Sequence, residues 1–131
     1  MTERPLSPHL SVYRMSRYTL LTSILNRATG LGLTVGLILL VYWLVAVASG
    51  PSAYRVAHTV LSLGVLKAVY VILLATFSYH LVAGIRHLIW DTGHGLERAQ
   101  AKRSAALVVI LTTLIFVGLA WWALHAGVRT P

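Results

Sequence analysis

Three stretches of this chain are long, apolar and free of Asp, Glu, Lys and Arg: residues 28–49, 68–85 and 104–126. A helix crossing a bilayer needs ~20 mainly apolar residues, and each stretch is close to that length. With 57% hydrophobic and 11% charged residues in 131 positions, too little polar sequence remains to cover three such helices in water. The expected fold is therefore an all-α membrane protein with three transmembrane helices. The expected divisions are an N-terminal arm over 1–22, a first span over 23–49 and an outer link over 50–59. A second span over 60–90, a cytoplasmic link over 91–103 and a third span over 104–126 follow. Lys67 and Arg86 bracket the membrane part of the second span, ~27 Å of helix, and both are expected to snorkel to opposite headgroup layers. Residues 53–66 are expected to carry that helix beyond the bilayer, which puts His58 outside as a plain surface residue.

Charge sets the orientation. Eleven Lys/Arg face three Asp/Glu, a net charge of +8. The basic residues concentrate in the arm (Arg4, Arg14, Arg17) and in the 91–103 link (Arg98, Lys102, Arg103). By the positive-inside rule both are cytoplasmic and the C-terminus is outside. The cations sit at the ends of apolar segments and form no stripe interleaved with aromatics, so lipid headgroups and partner proteins are the expected contacts and nucleic acid is not. The absence of cysteine excludes disulfides, iron–sulfur ligation by this chain and covalent haem attachment. The arm, broken by Pro5 and Pro8, lacks the short apolar core of a signal peptide.

Within the second span, His80, Gly84, His87 and Asp91 fall on one narrow helical face. An ionisable residue at membrane depth is costly and marks a functional candidate. Two readings fit the spacing. His80 is an axial ligand to a haem iron, with Gly84 leaving room for the flat macrocycle, or it only hydrogen-bonds a neighbouring helix. Ser23 and Arg27, spaced i, i+4 at the mouth of the first span, also admit two readings. They could bind a quinone carbonyl oxygen, or Arg27 snorkels while Ser23 starts the helix. Gly32 and Gly36 form a G-x-x-x-G packing face. Gly30 and Gly32, a Gly-x-Gly pair inside a membrane helix, carry no nucleotide meaning.

Three motifs in order give the chain a family likeness. They are Arg4-Pro5-Leu6-Ser7-Pro8-His9-Leu10 with Val12-Tyr13; Ser23-Ile24-Leu25-Asn26-Arg27-Ala28-Thr29-Gly30; and His80-x-x-x-Gly84-Ile85-Arg86-His87 through Trp90-Asp91-x-Gly93. The sequence resembles the cytochrome b membrane-anchor subunits of succinate dehydrogenase over nearly its whole length. The resemblance implies a bacterial inner-membrane complex that oxidises succinate on a flavoprotein subunit and passes electrons through an iron–sulfur subunit to ubiquinone. It implies that this chain and a second small membrane subunit, which supplies the other axial ligand, hold one haem b and part of the quinone pocket. By motif position, His80 is the haem ligand of this chain, Ser23 and Arg27 are quinone-pocket residues, and Arg27, Asn26, His87 and Gly84 lie near the haem. Asn26 departs from the family pattern, which usually has histidine there. An amide can hydrogen-bond a propionate or a quinone oxygen but cannot become a cation. A haem-free anchor of a related quinone oxidoreductase is the alternative. A transporter is disfavoured because the polar residues gather in the cytoplasmic half.

Overall fold

A computed structural model describes residues 17–126, which form four helices and no strand. The helices are α1 (Arg17–Ala48), α2 (Pro51–Leu61), α3 (Gly64–Asp91) and α4 (Arg98–Ala126). Three of them are long and apolar enough to cross a membrane, over Leu20–Ala48, Gly64–Asp91 and Arg98–His125. The all-α class and the three spans are thus as expected, and the 1–16 part of the arm lies outside the described residues.

Both α1 and α4 begin earlier than their apolar stretches, at Arg17 and Arg98. Charge ends the membrane-buried part of a helix, not the helix itself, and Arg, Lys and Gln are good helix formers. The link between α3 and α4 therefore shrinks to residues 92–97. It carries two glycines with positive φ, Gly93 at 81° and Gly95 at 78°, and is closed by a Trp90 Nε1 bond to the Gly95 carbonyl at 3.1 Å.

The outer link corrects a sequence expectation. Residues 53–66 do not continue the second span as one helix; the chain breaks at Ser62–Leu63, and α2 is a separate element. Gly50 (φ 102°) makes the turn out of α1, a conformation that strains any Cβ-bearing residue, and Pro51 starts α2 with its preset φ. Ala53, Tyr54, Ala57 and Leu61 share one face of α2, and Ala57 is fully buried against α1. Ser52, Arg55 and Thr59 occupy the opposite face. This two-sidedness suits a helix lying along an interface, whereas α3 is apolar all round and suits a helix passing through it. The joint is fixed by Ser62 N–H to the His58 carbonyl at 3.0 Å and by the Tyr70 hydroxyl to the Leu61 carbonyl at 2.9 Å.

Helix α3 is central, packed on α4 along one side and on α1 along another. The α3–α4 seam is built on Val82, Ala83 and Val108, with Tyr79 and Ile115 against them. The α1–α3 seam is a row of glycines. A Cβ on Gly32 would stand 3.2 Å from Thr76, and one on Gly36 3.2 Å from Leu73, so the expected small-residue face is in use. Leu, Val, Ile and Trp side chains cover the outside of the bundle, as lipid or a partner helix requires.

Candidate functional site

The α1–α3 seam places the second motif against the third. By helical geometry Asn26, Thr29 and Gly30 turn one side of α1 toward α3, and opposite them stands His80. Its Nδ1 lies 3.2 Å from the Asn26 carbonyl and 3.2 Å from the Thr29 hydroxyl. The Thr29 hydroxyl has two acceptors for its one proton, the Leu25 carbonyl 2.7 Å away and Asn26 O 3.0 Å away. Both neighbours of Nδ1 are therefore acceptors, and Nδ1 must carry the proton. That fixes the tautomer and leaves Nε2 with a free lone pair and, among the described residues, no hydrogen bond. A carbonyl accepting from one ring nitrogen while the other faces a metal is the usual outer support of a ligating histidine.

Gly30 completes the seat. A Cβ there would come within 3.2 Å of His80 Cε1, so a larger residue would push the imidazole aside. This role was missed from the sequence, where Gly30 only closed the second motif and stood beside Gly32 in an uninformative pair. On the other side of His80, a Cβ at Gly84 would meet nothing within 4 Å, so the face below the imidazole is open. His87 lies on that face; its Nδ1 bonds the Ala83 carbonyl at 2.8 Å and its ring tilts against Trp90.

Ser23 and Arg27 take different positions. Ser23 is half-buried at the edge of the α1 face that meets α3, while Arg27 has turned off it and is exposed. Neither bonds another side chain among the described residues. The Asn26 Oδ1 atom is buried and has no partner among the described residues. A buried acceptor without a donor is rare in a complete structure.

Arg86 corrects another expectation. It does not snorkel outward: it is 5% exposed and ties all three spans together. Its Nε donates to Ser104 Oγ at 3.0 Å, one terminal nitrogen to Thr22 Oγ1 at 3.1 Å, and the other to the Ala101 carbonyl at 3.1 Å. Its guanidinium also stacks 3.9 Å over the Trp90 ring. The Tyr79 hydroxyl adds a bond to the Thr22 carbonyl at 3.1 Å. Thr22, the residue before Ser23, is thereby held from two directions, which fixes the start of α1 where Ser23 and Arg27 stand.

Comparison with known proteins agrees with this arrangement. Residues 1–120 match the family of succinate dehydrogenase/fumarate reductase transmembrane subunits. A succinate dehydrogenase cytochrome b556 subunit of Paracoccus denitrificans is 38% identical over 86% of this chain and 92% of that relative. A cytochrome b556 subunit of Rickettsia felis is 32% identical over 91% of both chains. The mitochondrial cytochrome b560 subunit of Sus scrofa is 39% identical over 91% of this chain and 71% of its own length. Every motif discussed above lies inside the matched region, and the chain belongs to the succinate dehydrogenase/fumarate reductase transmembrane subunits, as a cytochrome b membrane anchor of succinate dehydrogenase.

Proposed function

We propose that this chain binds haem b jointly with a second small membrane subunit and forms part of the site where ubiquinone accepts electrons derived from succinate. Those electrons would arrive from a flavoprotein subunit through an iron–sulfur subunit. The observation that carries the reading is the seat of His80. Its Nδ1–H is committed to Asn26 O and Thr29 Oγ1, and its Nε2 is left as a ligand atom.

The residues present fit a haem. His80 would supply one axial ligand, Gly84 leaves the adjoining face clear, and Gly30 lets the imidazole lie close to α1. Asn26, with its unpartnered buried amide oxygen, and Arg27 stand about one turn from Gly30 and would hold polar groups of the macrocycle. His87 would approach the same edge nearer the membrane surface. When bound, the haem would supply a one-electron redox centre. The Asn26 and Thr29 acceptors hold the plane of the imidazole ring.

At the quinone, Arg27 keeps its charge, so its N–H groups stabilise the negative charge that develops on a carbonyl oxygen without giving up a proton. Ser23 donates a second hydrogen bond. Asn26 cannot act as a proton-carrying cation, so protons reach the reduced quinone by another route, from the aqueous mouth at the start of α1.

A histidine with only a structural role accounts for the Nδ1 bonds and leaves Nε2 unexplained. The separating experiment is purification of the assembled complex through a tag on this chain. The flavoprotein and iron–sulfur subunits are expected to co-purify, with a b-type reduced-minus-oxidised spectrum. Co-purification without any haem band would leave the haem-free anchor as the function.

The reading includes an orientation in a bacterial inner membrane, with the α1 start and the 92–97 link on the cytoplasmic side. Arg98, Lys102 and Arg103 stand there, facing the soluble subunits. A periplasm-dependent reporter fused after Pro131 is expected to be active and a cytoplasm-dependent one silent. The reverse pattern would invert the topology.

A further inference from the structure

At the end of the bundle opposite His87, the break between α2 and α3 leaves a cavity of about 420 Å³ between α1, α2 and α3. Leu39, Leu40, Leu73, Trp43, Tyr70 and His58 are among the residues that line it. A second cavity of about 460 Å³ lies along the first turn of α2 and shares the Trp43 wall. The joint bonds of Ser62 and Tyr70 hold α2 in place, so both cavities belong to the folded chain.

The charge at this end is one-sided. Arg55, on the face of α2 turned away from α1, lies about 60° round the helix and one turn before His58, and Lys67 precedes Tyr70 by one turn, so each cation neighbours a residue of the cavity wall without lining it. The two described carboxylates, Asp91 and Glu97, lie at the far end of α3 and in the link beyond it. Val56 and Val60 on α2 are exposed beside its buried face, as in a helix resting in the headgroup boundary. An occupant must therefore bring apolar tails, a polar head at headgroup depth, and negative charge on that head.

We propose that these cavities hold the acyl chains of one anionic phospholipid of the outer leaflet, with its phosphate received by Arg55, His58 and Lys67. Two adjoining cavities on one tryptophan suit a two-tailed ligand better than a single-tailed one. A neutral quinone head would leave both cations uncompensated. The inference does not depend on the haem or quinone assignments.

The test uses the intact complex, stripped of lipid in detergent and titrated with phosphatidylglycerol or phosphatidylcholine while binding is followed by native mass spectrometry. Phosphatidylglycerol is expected to bind one site at least ~10-fold more tightly, from two cations close to one headgroup. Arg55→Gln with Lys67→Gln is expected to abolish that preference while phosphatidylcholine binding persists. Leu40→Trp, which fills the cavity, is expected to weaken both lipids, with assembly of the complex checked by size-exclusion chromatography. Equal affinities for the two lipids, or a preference that survives the double substitution, would overturn the proposal. So would displacement of the lipid by a short-tailed ubiquinone analogue. A photo-crosslinker at position 40 that captures the second membrane subunit instead of lipid would overturn it as well.

Discussion

Replacing His80 with alanine in the assembled complex is expected to remove or convert the low-spin b-type spectrum while leaving the anchor assembled. The second half follows from the seat. The Thr29 hydroxyl keeps its carbonyl partners on Leu25 and Asn26 when the imidazole is removed, so the variant loses the two part-buried contacts of Nδ1 and no buried charge. The first half follows from the lack of a substitute ligand among the described residues. His87 is on the same helix face, ~10 Å further along the axis. His94 is in the link, and His125 lies at the C-terminal end of α4, the end away from that link. His58 is nearer than a continuous helix would have put it, because α2 folds back on α1. It still shares a cavity with Leu73, two turns and ~10 Å before His80. In sequence, both methionines, Met1 and Met15, precede the three apolar stretches. A six-coordinate haem therefore needs a ligand from the second membrane subunit. The chain expressed alone is expected to bind haem weakly or in a five-coordinate form, and co-expression is expected to restore the low-spin spectrum. Gly30→Leu provides an independent check, since it leaves the ligand in place but forces the imidazole off its acceptors. A low-spin spectrum from a verified monomer, or an unaltered one in His80→Ala, would sink the shared-haem reading.

Arg27→Leu is expected to slow quinone reduction by at least ~10-fold while succinate oxidation with a soluble artificial acceptor continues. A hydrogen bond from a charged donor is worth ~1.5–3 kcal/mol, and a tenfold rate change corresponds to ~1.4 kcal/mol. Because Arg27 is exposed and unbonded within the described chain, its loss should not destabilise the bundle. Ser23→Ala is expected to act in the same direction with a smaller effect, as befits a neutral donor. Normal quinone kinetics in an intact Arg27→Leu complex would remove both residues from the pocket.

The spans were legible because charge marks where a helix meets water. Where each helix begins was not, since α1 and α4 run on through Arg17, Arg98 and Lys102 without losing their backbone hydrogen bonds. The α2 helix was missed although its signal is present: Ala53, Ala57 and Leu61 recur on one face with Arg55 and Thr59 opposite. That pattern was absorbed into an imagined extension of the second span. His80 stood out through its spacing to Gly84, but its seat could not be read, because Asn26, Thr29 and Gly30 meet it only through tertiary packing. Arg86 was misjudged for the same reason. Sequence puts a cation near a membrane boundary, and only the bundle shows that Thr22, Ala101 and Ser104 surround it.

The position of Arg86 bears on how the chain is made. Its donors are met from both sides, by Thr22 on α1 and by Ala101 and Ser104 on α4. During synthesis α3 leaves the ribosome after α1 and before α4, so part of the guanidinium's partners do not yet exist when α3 meets the bilayer. A charge at that depth is tolerated only while it can still reach water or headgroups. Until α4 arrives, the most stable place for this end of α3 is the boundary layer. The arrival of the last helix is then the event that draws the arginine inward and commits the three helices to one register.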